Sequence, residues 1–261
     1  LLPTGGGKSI CFQVPALALE GMCVVVSPLI ALMKDQVFNL KRNNISAEAV
    51  FTGMSRLETE RILNNCVKNK VKFLYVSPER LQSAAFREQL LRMNVSLIAV
   101  DEAHCISQWG YDFRPSYLQI ADIRPLLPKV KWLALTATAT ERVKEDIQEK
   151  LQFEAAQVFQ QSFARPNLSY SVFKTESKWA KMLDVFQKVA GTGIVYVRSR
   201  KKTKDIAEFL TKNGIKSDFY HAGLDPKTRS RKQDDWIKNK IRVMVCTNAF
   251  GMGIDKPDVR T

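Results

Sequence analysis

Apolar and polar residues follow two different rhythms along this chain. Short, almost wholly apolar runs occur at 23–27, 71–76, 97–100 and 132–135. Between them, over 29–43, 56–69 and 80–93, apolar residues recur at helical spacing. The first rhythm predicts strands buried on both faces, the second amphipathic helices. Ser55 stands where an N-cap would, just ahead of the 56–69 stretch. Strands alternating with helices predict a parallel sheet with helices on both faces. Around 163–168 the pattern breaks at a Pro-containing connector. It then resumes as strand 193–197, helix 201–213, strand 217–221, helix 227–238 and strand 242–246. The expected fold class is α/β, with two tandem domains over 1–161 and 162–261. The chain opens inside a glycine-rich turn with no strand before it, and a strand is starting at 257–261 where it stops. The expectation is therefore a segment of a longer protein, with the C-terminal part of the second domain missing.

Composition sharpens this in one respect. The 261 residues give room for two cores, and 45% hydrophobic with 25% charged residues is ordinary for a folded globular chain. The formal charge of +14 is unevenly placed. Residues 1–161 carry 19 Lys/Arg against 16 Asp/Glu, whereas residues 162–261 carry 21 against 10. The second half is thus the side that attracts a polyanion. Cys11, Cys23, Cys66, Cys105 and Cys246 are scattered without a C-x-x-C pair, which argues for a reducing compartment and against a disulfide framework. No apolar run approaches the ~18 residues that span a membrane. The expectation is an intracellular protein with no membrane partner, cytoplasmic if bacterial and nuclear if eukaryotic.

The chemistry sits in two short segments. Thr4, Gly5, Gly6, Gly7, Lys8 and Ser9 form a phosphate-gripping turn: glycines let backbone N–H groups converge, Lys8 neutralises phosphate charge and the Ser9 hydroxyl meets Mg²⁺. Leu2 stands where the general version of this loop has a further glycine. Asp101-Glu102-Ala103-His104, at the end of an apolar run, supplies the acidic half. There Asp101 holds Mg²⁺ and Glu102 orients and deprotonates a water. Together the segments point to an ATPase using ATP and Mg²⁺. Downstream, Trp109, Tyr111, Phe113 and Tyr117 fall outside any periodic apolar pattern, among Gln108 and Arg114. Such rings can stack unpaired bases, although at least one is expected to anchor the loop in a small core. Arg198, Ser199, Arg200 and Lys201 follow a strand and can hold phosphates, a solvated charge run being the competing reading.

These residues resemble RecQ helicases of superfamily 2. The resemblance runs through Thr4 to Ser9, the Ser27-Pro28-Leu29-Ile30-Ala31-Leu32-Met33-Lys34-Asp35-Gln36 segment and the Asp101 to His104 box. It continues through the aromatic-rich loop from Cys105 to Pro115, Thr136-Ala137-Thr138-Ala139-Thr140, Tyr220-His221-Ala222-Gly223-Leu224 and the stretch from Thr247 to Pro257. It implies two tandem RecA-like domains in a DNA helicase moving 3′ to 5′ on single-stranded DNA and opening tailed duplexes in recombination and repair. By the same resemblance, His104 links the ATP site to the DNA-sensing loop, and Lys8, Asp101, Glu102 and His104 are the catalytic set. Gly253 and Asp255 join the nucleotide site, while Ser27, Gln108, Trp109, Phe113, Arg114, Arg198, Ser199 and Thr247 contact DNA. The family's adenine-reading glutamine motif and its arginine-finger motif are not within 1–261, so this stretch by itself is expected to hydrolyse ATP poorly. Two other classes stay open: an ATPase that remodels nucleic-acid complexes without unwinding, and a non-catalytic nucleic-acid-binding module. No residue pattern names a protein partner.

Overall fold

The computed structural model describes residues 1–261 except Thr4, Tyr111, Ala156, Phe163, Arg165, Pro166, Met252, Gly253 and Asp255, together with the side chain of Pro226. The chain divides into two compact units, Leu1–Pro166 and Asn167–Thr261.

In the first unit five parallel strands lie in the order β2-β3-β1-β4-β5, with β1 Met22–Val26, β2 Ala47–Val50, β3 Phe73–Val76, β4 Val95–Val100 and β5 Lys131–Ala134. All five residues of the central β1 are buried, as its unbroken apolar run requires. Alternation along that strand divides the core. Cys23 and Val25 face Phe12 and Ala16 of α1 (Lys8–Ala18) and Met33, Val37 and Leu40 of α2 (Ile30–Arg42). Met22, Val24 and Val26 point the other way, into the cluster holding Ile62 and Cys66 of α3 (Arg56–Val67), Phe86 and Leu90 of α4 (Ala84–Leu90), and Val143 and Ile147 of α5 (Glu141–Lys150). Each such fully buried aliphatic side chain contributes about 1.5–3 kcal/mol, so both helical layers are held from one strand.

The second unit repeats the scheme on three parallel strands ordered β6-β8-β7: β6 Gly193–Tyr196, β7 Ser217–Tyr220 and β8 Val243–Cys246. Val243 and Val245 pack with Phe186 of α6 (Lys178–Lys188) and Ile206, Ala207 and Leu210 of α7 (Arg200–Lys212). Met244 and Cys246 face Trp236 of α8 (Pro226–Ile237), Tyr220 and Phe250. All five cysteines are free. Burial pushes the thiols of Cys23, Cys66, Cys105 and Cys246 up to about 12.

The structure departs from the sequence pattern in places. Residues 80–93 are not one helix: a 3-10 turn covers Pro78–Gln82, Ser83 is extended at φ −69° and ψ 123°, and α4 begins only at Ala84. The Leu81 carbonyl at this break accepts from Arg87 Nε at 2.7 Å, which removes the penalty of leaving it unpaired. The edge strand β2 was invisible because Glu48 interrupts its apolar residues, and α5 and α6 are likewise additions. Residues 257–261 contribute one isolated parallel bridge, Thr192 with Val259, instead of a strand.

The expected cap on α3 is present: Ser55 Oγ accepts from the Glu58 N–H at 3.2 Å. Ser55→Ala is expected to destabilise the first unit by about 1 kcal/mol and Ser55→Gly by only a few tenths. Urea denaturation followed through that unit's transition checks the difference, and equal losses in the two variants would count against the cap.

Candidate functional site

In both units the chemistry gathers at the C-terminal edge of a parallel sheet, where open α/β sheets expose their strand ends. The glycine-rich turn of the first unit is built by backbone conformation. Gly5 and Gly7 adopt left-handed φ of 78° and 79°, and the Gly6 N–H donates to the Pro3 carbonyl at 2.8 Å. Gly7 is the N-cap of α1 and offers no side-chain cap, so the first-turn N–H groups of that helix remain available to an anion. Lys8 and Ser9 are its first two residues. The Leu2 N–H donates to the Thr136 carbonyl at 3.3 Å, which sets the start of the loop beside the end of β5.

On the neighbouring strand, ladder bonding runs one residue past β4: the Asp101 N–H donates to the Val26 carbonyl at 2.9 Å. The chain then turns sharply. Glu102 is held at φ 48° and ψ 44°, a conformation that costs a non-glycine residue on the order of 1–3 kcal/mol and recurs at active sites. Its N–H donates back to Asp101 Oδ1 at 2.9 Å, and Tyr117, fully buried, donates its hydroxyl to the Asp101 carbonyl at 2.8 Å. The turn also brings Glu102 Oε2 to 3.4 Å from His104 Nδ1, which lies 2.9 Å from Thr136 Oγ1. Thr136 Oγ1 also accepts from the Thr138 N–H at 3.1 Å and lies 3.2 Å from the Thr138 carbonyl, so the threonine ties the imidazole to the turn after β5.

The electrostatics of this cluster are under tension. Burial first, and then the neighbouring Glu102, push the Asp101 carboxyl up to about 6. Burial also raises Glu102 and lowers His104, which keeps the imidazole neutral. The Lys8 ammonium draws both carboxyl groups back down, so the phosphate loop and the acidic pair share one electrostatic environment. A carboxylate that resists ionisation unless a cation is near and a serine hydroxyl make a hard, oxygen-only donor set, with the lysine ammonium beside it as a charge for phosphate. That set suits a divalent cation such as Mg²⁺, which keeps its own waters and shares phosphate oxygens.

The aromatic-rich segment leaves directly from His104 through a 3-10 turn, Ala103–Ile106. Gly110 packs so tightly that a Cβ there would clash with the His104 carbonyl oxygen. The loop is docked on α5: Ser107 Oγ donates to Asp146 Oδ2, the Trp109 N–H donates to Ser107 Oγ at 3.1 Å, and the Arg142 guanidinium covers the Trp109 ring at 3.9 Å. Trp109 remains 62% exposed, Gln108 is exposed and Phe113 half-buried. Arg142 and Asp146 carried no sequence signal beyond their i, i+4 spacing on a polar helix face. Two expected nucleic-acid contacts sit differently. Ser27 is buried at the end of β1, where the Val76 carbonyl accepts from its N–H and its Oγ has no partner among the described residues. Arg114 turns inward, donating from Nε and Nη2 to Asp112 Oδ2 and from Nη1 to the Pro28 carbonyl at 2.9 Å. Thr4, Tyr111, Gly253 and Asp255 lie outside the described residues.

In the second unit the register Tyr196↔Cys246 brings the ends of β6 and β8 side by side. Arg198, exposed, and Ser199 thus emerge at the edge that also carries Thr247. The Ser199 hydroxyl caps α7 by accepting from the Lys202 N–H, and Arg200, Lys201 and Lys202 open that helix. Cations repel the positive end of a helix dipole, so this terminus is set for an anion.

With this geometry the chain matches known proteins over its whole length. Residues 1–147 match the family model DEAD/DEAH box helicase, and residues 177–261 match the Helicase conserved C-terminal domain. The sequence is 43% identical to the probable ATP-dependent DNA helicase RecS of Bacillus subtilis, covering 100% of this chain and 53% of that protein. To the ATP-dependent DNA helicase RecQ of Pasteurella multocida it is 40% identical, covering 100% of this chain and 41% of that one. The chain therefore spans about half the length of these relatives. The DUF1998 helicase MrfA, solved bound to DNA and AMPPNP, superposes with a TM-score of 0.76 at 20% identity. That match covers 98% of this chain and 40% of the other and speaks for the fold alone.

The raised Asp101 carboxyl carries a sign that can be tested without ligand. A carboxyl whose folded-state pKa lies above its unfolded value contributes stability below about 4, and that contribution is lost as pH rises through about 6. With a chelator present, Asp101→Asn is therefore expected to melt above the wild-type protein at pH 7.5, by the equivalent of roughly 2–3 kcal/mol, with the gap closing towards pH 4. A less stable variant at pH 7.5 would contradict the crowding of charge at this edge.

Proposed function

Because this chain belongs to the DEAD/DEAH box helicase family and is similar to RecQ-type helicases along its entire length, we propose that it is the ATP- and Mg²⁺-dependent motor of a DNA helicase. The observation that carries this reading is the meeting, at one sheet edge, of an uncapped helix start, Lys8 and the Asp101–Glu102 pair. Lys8 and the first-turn N–H groups of α1 hold the β- and γ-phosphates of ATP. Ser9 and Asp101 hold Mg²⁺, which when bound screens the charge of those phosphates. Glu102, its basicity raised by burial, accepts the proton of the attacking water. His104 stays neutral and hydrogen-bonded to Thr136, fixing the distance from Glu102 to the strand end that follows β5. The exposed face of Trp109 takes an unpaired base, each such stack being worth about 1–3 kcal/mol. Arg198, Ser199 and the start of α7, with Thr247, take backbone phosphates in the second unit. Translocation 3′ to 5′ on single-stranded DNA and separation of tailed duplexes in recombination and repair complete the reading, supported by the similarity to RecQ-type relatives.

ATP hydrolysis by the intact protein, with and without single-stranded DNA, tests the motor. Strong stimulation by DNA is expected, with Glu102→Gln lowering kcat by about 10²–10⁴ while nucleotide still binds. Trp109→Ala is expected to lose most of the stimulation and little of the DNA-free rate. A duplex with a 3′ tail should be opened and one with a 5′ tail should not. Binding of ATP without turnover in either protein would replace the motor with a non-catalytic module, and turnover without unwinding would point to a remodelling ATPase.

A further inference from the structure

Ser9 is not free in this structure. Gln36 Nε2 on α2 donates to Ser9 Oγ at 3.2 Å, and Gln36 Oε1 accepts from Gln13 Nε2 at 3.0 Å. Gln13 Nε2 also lies 3.4 Å from the hydroxyl of Tyr75, which is 2% exposed on β3. The two amides are oriented together: with Gln13 as it stands, a reversed Gln36 would set NH₂ against NH₂, and reversing both keeps Gln36 hydrogen-bonded to Ser9 with the direction of that bond exchanged. A serine oxygen has two lone pairs and one proton. In either sense the Gln36 hydrogen bond fixes the rotation of the Ser9 hydroxyl, and so the direction in which a lone pair is offered to a cation.

From this geometry we infer that Gln36 is a positioning residue that aims the Ser9 hydroxyl at the divalent cation accompanying the nucleotide. The inference rests on the motor reading above and adds a residue to it. Gln36 touches neither phosphate nor water in this role; it acts through Ser9, as partners of metal ligands generally do. Its place on α2 gives the contact a second meaning. The Pro28 carbonyl, two residues before α2 begins, is held by Arg114 of the aromatic-rich loop at 2.9 Å. One helix therefore carries the residue that orients Ser9 and, at its start, a hydrogen bond from the loop proposed to meet DNA.

The test titrates Mg²⁺ against binding of a fluorescent, non-hydrolysable ATP analogue to the intact protein. Gln36→Leu is expected to raise the Mg²⁺ needed for half-maximal binding about tenfold, while binding without Mg²⁺ stays unchanged. Gln36→Glu is the rescue. Its carboxylate accepts from Gln13 N–H and, with the direction of the bond exchanged, from Ser9 O–H, which still fixes the hydroxyl, so the Mg²⁺ requirement should return to within about twofold of wild type. In a Ser9→Ala background, Gln36→Leu should add nothing. An unshifted Gln36→Leu, an equal loss with and without Mg²⁺, or an additive effect on Ser9→Ala would each overturn the inference and leave the motor reading standing. Wild-type protein that binds the analogue without regard to Mg²⁺ would overturn the site reading, and this inference with it.

Discussion

The parallel pairing of β1 with β4 is the constraint on which the first unit's chemistry depends. Val26 pairs with Val100, and the next N–H along, from Asp101, still finds the Val26 carbonyl. That last hydrogen bond holds Asp101 in ladder geometry at the sheet's edge, so the turn after it starts from a fixed point. Because every strand of the sheet is parallel, the ends of β1, β4 and β5 all open on the same side. Leu2, bonded to Thr136 past β5, delivers the glycine-rich turn to that side too. An antiparallel partner in any of these places would have carried its loop to the opposite edge.

The same burial that fixes these groups makes them uncomfortable. Two adjacent carboxyls stand where water is scarce, with Glu102 in a left-handed conformation and Tyr117 closing off the space beneath Asp101. Among the described residues, Lys8 is the cation that draws both carboxyl groups down. Around them His104, Thr136 and Thr138 are hydrogen-bonded to one another, and the Asp101 carbonyl is taken by Tyr117. A strained acidic turn held by these bonds is the arrangement expected when the missing favourable energy arrives with a cationic ligand and its phosphates.

The glycine turn, Lys8 and the acidic box were legible because their chemistry is local: a left-handed glycine, a helix start and a strand end are written in consecutive residues. The α3 cap at Ser55 was legible for the same reason. What the sequence hid depends on neighbours distant in the chain. Ser27 reads as a DNA contact at a strand end until its burial beside β3 is seen, and Arg114 reads as a cation for DNA until Asp112 and the Pro28 carbonyl take its donors. Gln13, Gln36 and Tyr75 lie in three different elements, and no periodicity joins them. The break at Ser83 was hidden too, because the apolar spacing of 80–93 continues across it while the backbone does not.

The two units differ in electrostatic character, and the second makes its own argument. α7 begins with Arg200, Lys201 and Lys202 and has no acidic residue in its first turn, although a helix N-terminus is already partly positive. Placing three cations there opposes the helix dipole, and Ser199 relieves only one N–H of the strain. A sequence shaped for helix stability alone would carry Asp or Glu at those positions. The pattern makes sense if the compensating charge comes from outside, as successive phosphates running past the ends of β6 and β8. The excess of 21 Lys/Arg over 10 Asp/Glu in 162–261 extends the same bias over the whole unit. In the first unit, positive charge is local and answers a buried acidic pair. In the second it is spread out and exceeds what the unit's own ion pairs, such as Lys204 with Glu208 and Lys240 with Asp235, take up, which suits a long polyanion better than a single nucleotide.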